Sequence, residues 1–134
     1  MPESMSDVER VYRAYNAAEN AHDIVATTAL VDAQLEVSIN GRERIASGDE
    51  DAEANARLFA TYPDYRREIV EVIAEDNRAA VRWRMVGSPA DGSGARELDL
   101  HGCSVVEARE GRLTRAFLYV DESTLASILP SSGG

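Results

Sequence analysis

Between Leu98 and Asp121 the chain carries two strand-like runs around a short turn, and no other stretch restricts the possible folds as much. The runs are Leu98-Asp99-Leu100-His101-Gly102-Cys103-Ser104-Val105-Val106 and Leu113-Thr114-Arg115-Ala116-Phe117-Leu118-Tyr119-Val120-Asp121, with Arg109-Glu110-Gly111 between them. Two-residue mirror-image turns favour Asn-Gly or Asp-Gly, whereas Glu-Gly suits a type I turn with Gly111 as a left-handed bulge. That hairpin sets Cys103 opposite Phe117, His101 opposite Tyr119 and Asp99 opposite Asp121. Side chains alternate faces along a strand, so Asp99, His101, Cys103, Phe117, Tyr119 and Asp121 share one face, and Leu98, Leu100, Leu118 and Val120 share the other. A strict two-residue turn would instead move Asp121 to the face of Leu100 and Gly102.

The first face holds the chemistry. A carboxylate at the mouth of an apolar pocket is pushed by desolvation toward a pKa useful for moving protons, and an imidazole can donate to a developing oxyanion. Asp121 and His101 are therefore the expected catalytic pair, with Asp99, Tyr119, Phe117, Trp83, Met85, Tyr15 and Phe59 expected around the substrate, and Tyr12 near them. The plainer alternatives are that Asp121 caps a following helix, that His101 is bonded to Tyr119, and that most of the aromatic residues are simply core. The aliphatic face of Leu98, Leu100, Leu118 and Val120 reads as the outside of the sheet, covered by a second copy in a homodimer.

Size and charge narrow the class. A chain of 134 residues with 44% hydrophobic residues suits a single domain with a real core, spanning about 6–129 with loose ends. With 24 acidic and 14 basic residues the net charge is −10, which argues against nucleic acid and against an anionic membrane as partner. One cysteine excludes an internal disulfide, and there is neither a leader-like segment nor a membrane-length apolar run, so a cytoplasmic protein is expected. His22, His101 and Cys103 have no metal-ligand spacing, so no metal is expected.

Helical signals come first. Ser6 with Glu9 forms a capping box ahead of Val8, Val11, Tyr12, Tyr15 and Ala18, which predicts a helix to about Asn20. Asp23 caps a shorter helix running through Ile24, Val25, Thr28, Ala29 and Val31. Leu35, Val37 and Ile39 alternate before the Asn40-Gly41 turn, and an alanine-rich helix over 49–60 ends at Pro63. Strands are then predicted over 65–74 and 79–87, with Val72 opposite Val81, Val70 opposite Trp83, and Glu71 opposite Arg82 as a solvent-side ion pair. Arg66, Arg67 and Arg84 read as solvated charges and Cys103 as a buried thiol. Residues 88–95 form a flexible connection, and 123–129 close with a helical turn or two. Helices followed by a run of antiparallel strands imply an α+β layer structure with a curved sheet against helices.

With these elements in place, the chain resembles the SnoaL-like polyketide cyclase family within the nuclear transport factor 2-like superfamily. The resemblance is carried by Tyr15 to Asp23, by Tyr62-Pro63-Asp64 and Ala80-Val81-Arg82-Trp83, by Glu110-Gly111-Arg112-Leu113, and by Asp121 closing the last long strand. It implies a cone-shaped antiparallel sheet wrapped around N-terminal helices. It also implies a cofactor-free enzyme of secondary metabolism that acts on a hydrophobic, aromatic polyketide-like substrate. In family members that cyclise such molecules, an aspartate at the end of the final strand is general acid and base in an intramolecular aldol closure, and resemblance places that role on Asp121. Hydroxylases, epoxide hydrolases and non-catalytic binding or dimerisation modules share the superfamily and are the alternatives. Ser38 or Asn40 stands where an isomerase would have its base, and Arg82-Trp83-Arg84 lacks the carboxylate of the epoxide hydrolase motif, so those two activities fit less well.

Overall fold

A computed structural model describes residues 5–121. Helix α1, Asp7–Asn20, starts where its cap predicts: the Ser6 hydroxyl accepts from the Glu9 amide at 3.3 Å, and Asp7 and Glu9 meet the positive end of the helix dipole. It ends in a Schellman motif, with His22 at φ 55° and the amides of His22 and Asp23 donating to the carbonyls of Glu19 and Ala18. Asp23 then caps α2, Ile24–Ala29. Val31, expected at the end of this helix, instead opens strand β1, Val31–Ile39, where its β-branched side chain is buried.

Asn40 and Gly41, both at positive φ, turn the chain into β2, Arg42–Ile45. Ser47 caps α3, Gly48–Thr61. The remaining strands are β3, Arg66–Glu75, β4, Arg78–Gly87, β5, Leu98–Arg109, and β6, Arg112–Val120. The connection before β5 is tied down, as Ser88 N–H donates to Asp64 and the Tyr62 hydroxyl donates to the Arg96 carbonyl at 2.6 Å.

The six strands form one sheet in the order β2-β1-β6-β5-β4-β3. All neighbours are antiparallel except β1 and β6, which run parallel with Val37 beside Ala116 and Ile39 beside Leu118. This parallel pair joins the N-terminal half of the chain to the end of the sheet. The expected pairing of β3 with β4 holds at Val72↔Val81 and Glu71↔Arg82, but Trp83 pairs with Ile69 because Val70 sits in a bulge and turns outward, half exposed.

The β5–β6 hairpin departs from the expected register. Glu110 and Gly111, at φ 51° and 77°, form a two-residue mirror-image turn between Arg109 and Arg112, and the extra residue is Thr114 instead. Cys103 consequently pairs with Tyr119 and Val105 with Phe117. The bulge offsets the shorter turn, so each residue keeps the face expected of it.

What reverses is the meaning of the two faces. The helices cover the face of Leu98, Leu100, Leu118 and Val120, which belongs to the core: Leu98 is 1% and Leu100 5% exposed, and Leu118 and Val120 pack against them. These four residues are not an outer dimer surface. The opposite face is the outer one, where Asp99, His101 and Tyr119 are exposed. A sheet covered on one side only buries its aliphatic row and wets its polar row. Trp83 fills the centre of the inner face, with its ring over Gly102, where any Cβ would overlap it, and its indole N–H on Ser104 Oγ at 2.8 Å.

Candidate active site

Between α1, α3 and the inner face of the sheet lies a cavity of about 110 Å³. Its walls are largely aliphatic, including Val37, Ile39, Leu58, Met85, Val106 and Leu118, and two polar clusters interrupt them. Both clusters hang from one stripe of α1, because Tyr12, Tyr15 and Glu19 at spacings of three and four residues all point inward.

The first cluster joins α1 to α3. The Tyr15 hydroxyl donates to Asp51 Oδ2 at 2.9 Å and accepts from Asn55 Nδ2 at 3.1 Å. Asp51 and Asn55 lie one turn apart on the buried face of α3, with Leu58 beyond them. Burial raises the Asp51 carboxyl from the usual 3.8 to about 6, against the lowering effect of the Tyr15 hydrogen bond. Burial, and then the Asp51 charge, push the Tyr15 phenol well above its ordinary value, so it remains the donor of the pair.

The second cluster joins α1 to β3. Glu19 and Arg67 form a buried ion pair, 3% and 8% exposed, and the Tyr65 hydroxyl donates to Glu19 at 3.0 Å. Arg67 Nη1 donates to the Tyr12 hydroxyl at 3.0 Å, and its guanidinium lies over the rings of Tyr12 and Trp83. Asn20 and Asn16 on α1 bind the backbone of Arg67, fixing the strand beneath the helix. The expectation that Arg67 is solvated is therefore wrong. Its partner Glu19 sits on the apolar stripe of α1, and the two compensate each other's burial.

The structure brings together only part of the set named from the sequence. Tyr12, Tyr15 and Met85 line the cavity, while Trp83 is packed solid beside it. Phe59 stacks on His22, with ring centroids 4.2 Å apart, and is not among the lining residues. Asp99, His101, Phe117 and Tyr119 lie on the outer face, and Asp121, directly after β6, is exposed. Asp99 is held by Arg84 through two bonds of 2.8 and 2.9 Å, which lower its carboxyl below the ordinary value. Cys103 is half-buried on that outer face, not enclosed. The helical turns expected over 123–129 lie outside the described residues.

Asp51, Asn55, Glu19 and the inward Arg67 escaped the sequence reading. Their signal was a carboxylate on the apolar stripe of an amphipathic helix, at Tyr15-x-x-x-Glu19 and at Asp51-x-x-x-Asn55-x-x-Leu58. No group of three or more His, Cys, Asp or Glu is gathered as metal ligands would be among the described residues. No helix among them is long and apolar enough to cross a membrane.

Comparison with known proteins places this architecture. The family model for the SnoaL-like domain matches residues 11–116. The chain belongs to the SnoaL-like family. Among solved structures, a SnoaL-like polyketide cyclase so described from Jannaschia is 12% identical, with a TM-score of 0.75 over 97% of this chain and 100% of that one. AclR from Streptomyces galilaeus, described as a hydroxylase, is 16% identical, with a TM-score of 0.76 over 91% and 80% of the respective chains. An epoxide hydrolase of the LEH-like type from M. tuberculosis is 19% identical, with a TM-score of 0.75 over 91% and 89%. At these identities the likeness shows the fold, a nuclear transport factor 2-like α+β cone, and not the chemistry. Among curated proteins, none matches the chain significantly in sequence.

Proposed function

We propose that this SnoaL-like protein is an acid–base enzyme that removes a proton from the carbon beside a carbonyl in a compact hydrophobic substrate, with Asp51 as the base. The observation that carries this reading is a buried carboxylate without a cation partner in a largely aliphatic cavity, its pKa raised to about 6 and its position set by a phenol that stays protonated, whereas the cavity's other carboxylate, Glu19, is paired with Arg67. At neutral pH such a group is mostly ionised yet poorly solvated, the state in which a carboxylate is a useful base. Asn55 holds Tyr15, and Tyr15 holds Asp51, so the base is positioned before substrate arrives. An enolate formed this way can return its proton elsewhere, or attack a second carbonyl of the same molecule in an aldol closure.

The cavity limits what enters. At about 110 Å³ the cavity is smaller than the ~150 Å³ space that admits benzene, so it suits a small ketone, or part of one ring of a larger polyketide-like molecule. A second reading, epoxide opening, is favoured by the gathering of an acid, a phenol and an amide, Asp51, Tyr15 and Asn55, in one hydrogen-bonded cluster.

The test is solvent deuterium incorporation beside the carbonyl of cyclohexanone-sized ketones, followed by mass spectrometry. Exchange should depend on the protein and fall by about 10²–10⁴-fold in Asp51→Asn, while Asp121→Asn and His101→Gln leave it within twofold. Exchange that survives Asp51→Asn, or that is lost in Asp121→Asn, would overturn the reading. Diol formation from a small epoxide with no ketone exchange would select the second one. Ligand binding with neither reaction would make the protein a binding module.

A further inference from the structure

We propose that the cavity contains a hydroxyl-recognition site: Glu19 Oε2 accepts a hydrogen bond from the substrate, whose class is therefore a small neutral hydroxy-ketone. The inference rests on the proton-transfer reading above and names the substrate class which that reading leaves open.

Glu19 is bonded on one side only. Its Oε1 takes both local donors, the Tyr65 hydroxyl at 3.0 Å and Arg67 Nη2, while Oε2 receives no hydrogen bond from a described residue. That oxygen is not sealed either. The unbonded polar atoms beside it that are closed to a water-sized probe are Asn16 Oδ1 and Arg67 Nε, which lie out of a ligand's reach and take no part here. Glu19 as a whole is 3% exposed and stands in the cavity wall, so the surface left on Oε2 opens inward. A carboxylate oxygen buried among apolar walls is costly unless a donor meets it, and here only a cavity-bound molecule can supply one.

The rest of the wall has the same polarity. Asp51 Oδ1 and Asn55 Oδ1 are likewise unbonded and unsealed, because Asp51 meets Tyr15 through Oδ2 and Asn55 meets it through Nδ2. Among the described residues, the open and unbonded side-chain atoms of this cavity are thus all acceptors. Charge decides which donor they suit. Glu19 is already balanced by Arg67 in direct contact, so an ammonium would meet the guanidinium, and an anion would meet two carboxylates. A hydroxyl gains a charge-assisted bond and brings no charge between aliphatic walls. Tyr15, which holds the base, and Glu19 stand one helical turn apart on α1, so one small molecule is offered both sites. Asp51 Oδ1 is free to take the α-proton while Glu19 Oε2 holds the hydroxyl.

The experiment compares 4-hydroxy-2-butanone with 2-pentanone, in which a methyl group replaces the hydroxyl at nearly equal size, and with 4-methoxy-2-butanone, which keeps the oxygen and loses its proton. Dissociation constants are read by ligand-observed ¹H NMR, which needs no turnover. The hydroxy-ketone should bind at least tenfold more tightly than either, although 2-pentanone is the more hydrophobic. Glu19→Gln adds a change of sign. Tyr65 and Arg67 both donate, so the new amide must give them its oxygen and turn its NH₂ to the cavity. The methoxy-ketone should then gain on the hydroxy-ketone until its tenfold deficit is gone, whereas a merely structural Glu19 would weaken all three ligands alike. Equal wild-type affinity for the hydroxy-ketone and 2-pentanone would overturn the proposal, and that comparison needs no variant to fold. Hydroxyl preference in a protein that exchanges no ketone protons would retain the site and refute the enzymatic reading. Exchange without the preference would retain the enzyme and refute the site, so the two failures are distinguishable.

Discussion

The two faces of the sheet each hold a carboxylate near an arginine and aromatic rings, and the same residue types behave in opposite ways. Outside, Asp99 is exposed and bidentate to Arg84, and its carboxyl is lowered. Inside, Asp51 is 7% exposed, has a phenol for company in place of a cation, and its carboxyl is raised to about 6. The Arg84–Asp99 pair is screened by solvent, whereas Glu19–Arg67 is shut in with aromatic walls. Residue types alone therefore do not locate chemistry; burial decides which carboxyl is raised and which is lowered.

The largest contrast is in turnover. Asp51→Asn should lower proton exchange by about 10²–10⁴-fold, and Asp99→Asn should leave it within twofold, as initial rates measured side by side will show. A loss in both would mean that the outer face takes part.

Stability separates the two ion pairs. Arg67→Met leaves Glu19 buried without its counter-charge and should cost about 3–5 kcal/mol in urea unfolding. Glu19→Gln together with Arg67→Met should recover much of that loss. Arg84→Met, at a solvent-exposed pair, should shift the unfolding midpoint far less than Arg67→Met does.

The pH dependence is smaller and has a definite sign. Folding raises the Asp51 carboxyl from 3.8 to about 6, so the native state holds this proton more tightly than the unfolded chain does. The stability it provides is complete below pH 4 and is lost as pH rises through about 6. Asp51→Asn keeps an acceptor for Tyr15 without the charge, and should gain up to roughly 3 kcal/mol over the wild type between pH 4 and 8. Asp99, whose carboxyl is lowered, acts in the reverse sense: the stability from its pair is lost as pH falls. A variant that trades activity for stability is the usual mark of a functional site.

Packing gives the smallest of these effects. Gly102→Ala should destabilise the fold by about 1–3 kcal/mol, because its Cβ would overlap the Trp83 ring.

The elements were legible because their signals are local. Ser6 and Asp23 cap the helices whose starts they mark, and alternation set the faces of β5 and β6 correctly even though the hairpin turn differed. Which face the helices cover is not local. It depends on the parallel pairing of β1 with β6, between segments far apart in sequence. A carboxylate and a histidine on a half-aromatic strand face look like a pocket until the helices are seen on the other side. The sites that were missed broke a local rule: Glu19 and Asp51 stand on helix faces that should be apolar, and such violations are where function tends to lie.

The central claim is that the reactive carboxylate is the enclosed one. The most direct measurement is a ¹³C NMR titration of the aspartate carboxyls, with Asp51 and Asp99 assigned by their Asn variants. A midpoint near 6 for Asp51, displaced by a cavity-bound ketone, beside a midpoint below the ordinary range for an Asp99 that the ketone does not perturb, is the result predicted. An Asp51 that titrates near 4 and ignores the ketone would contradict it.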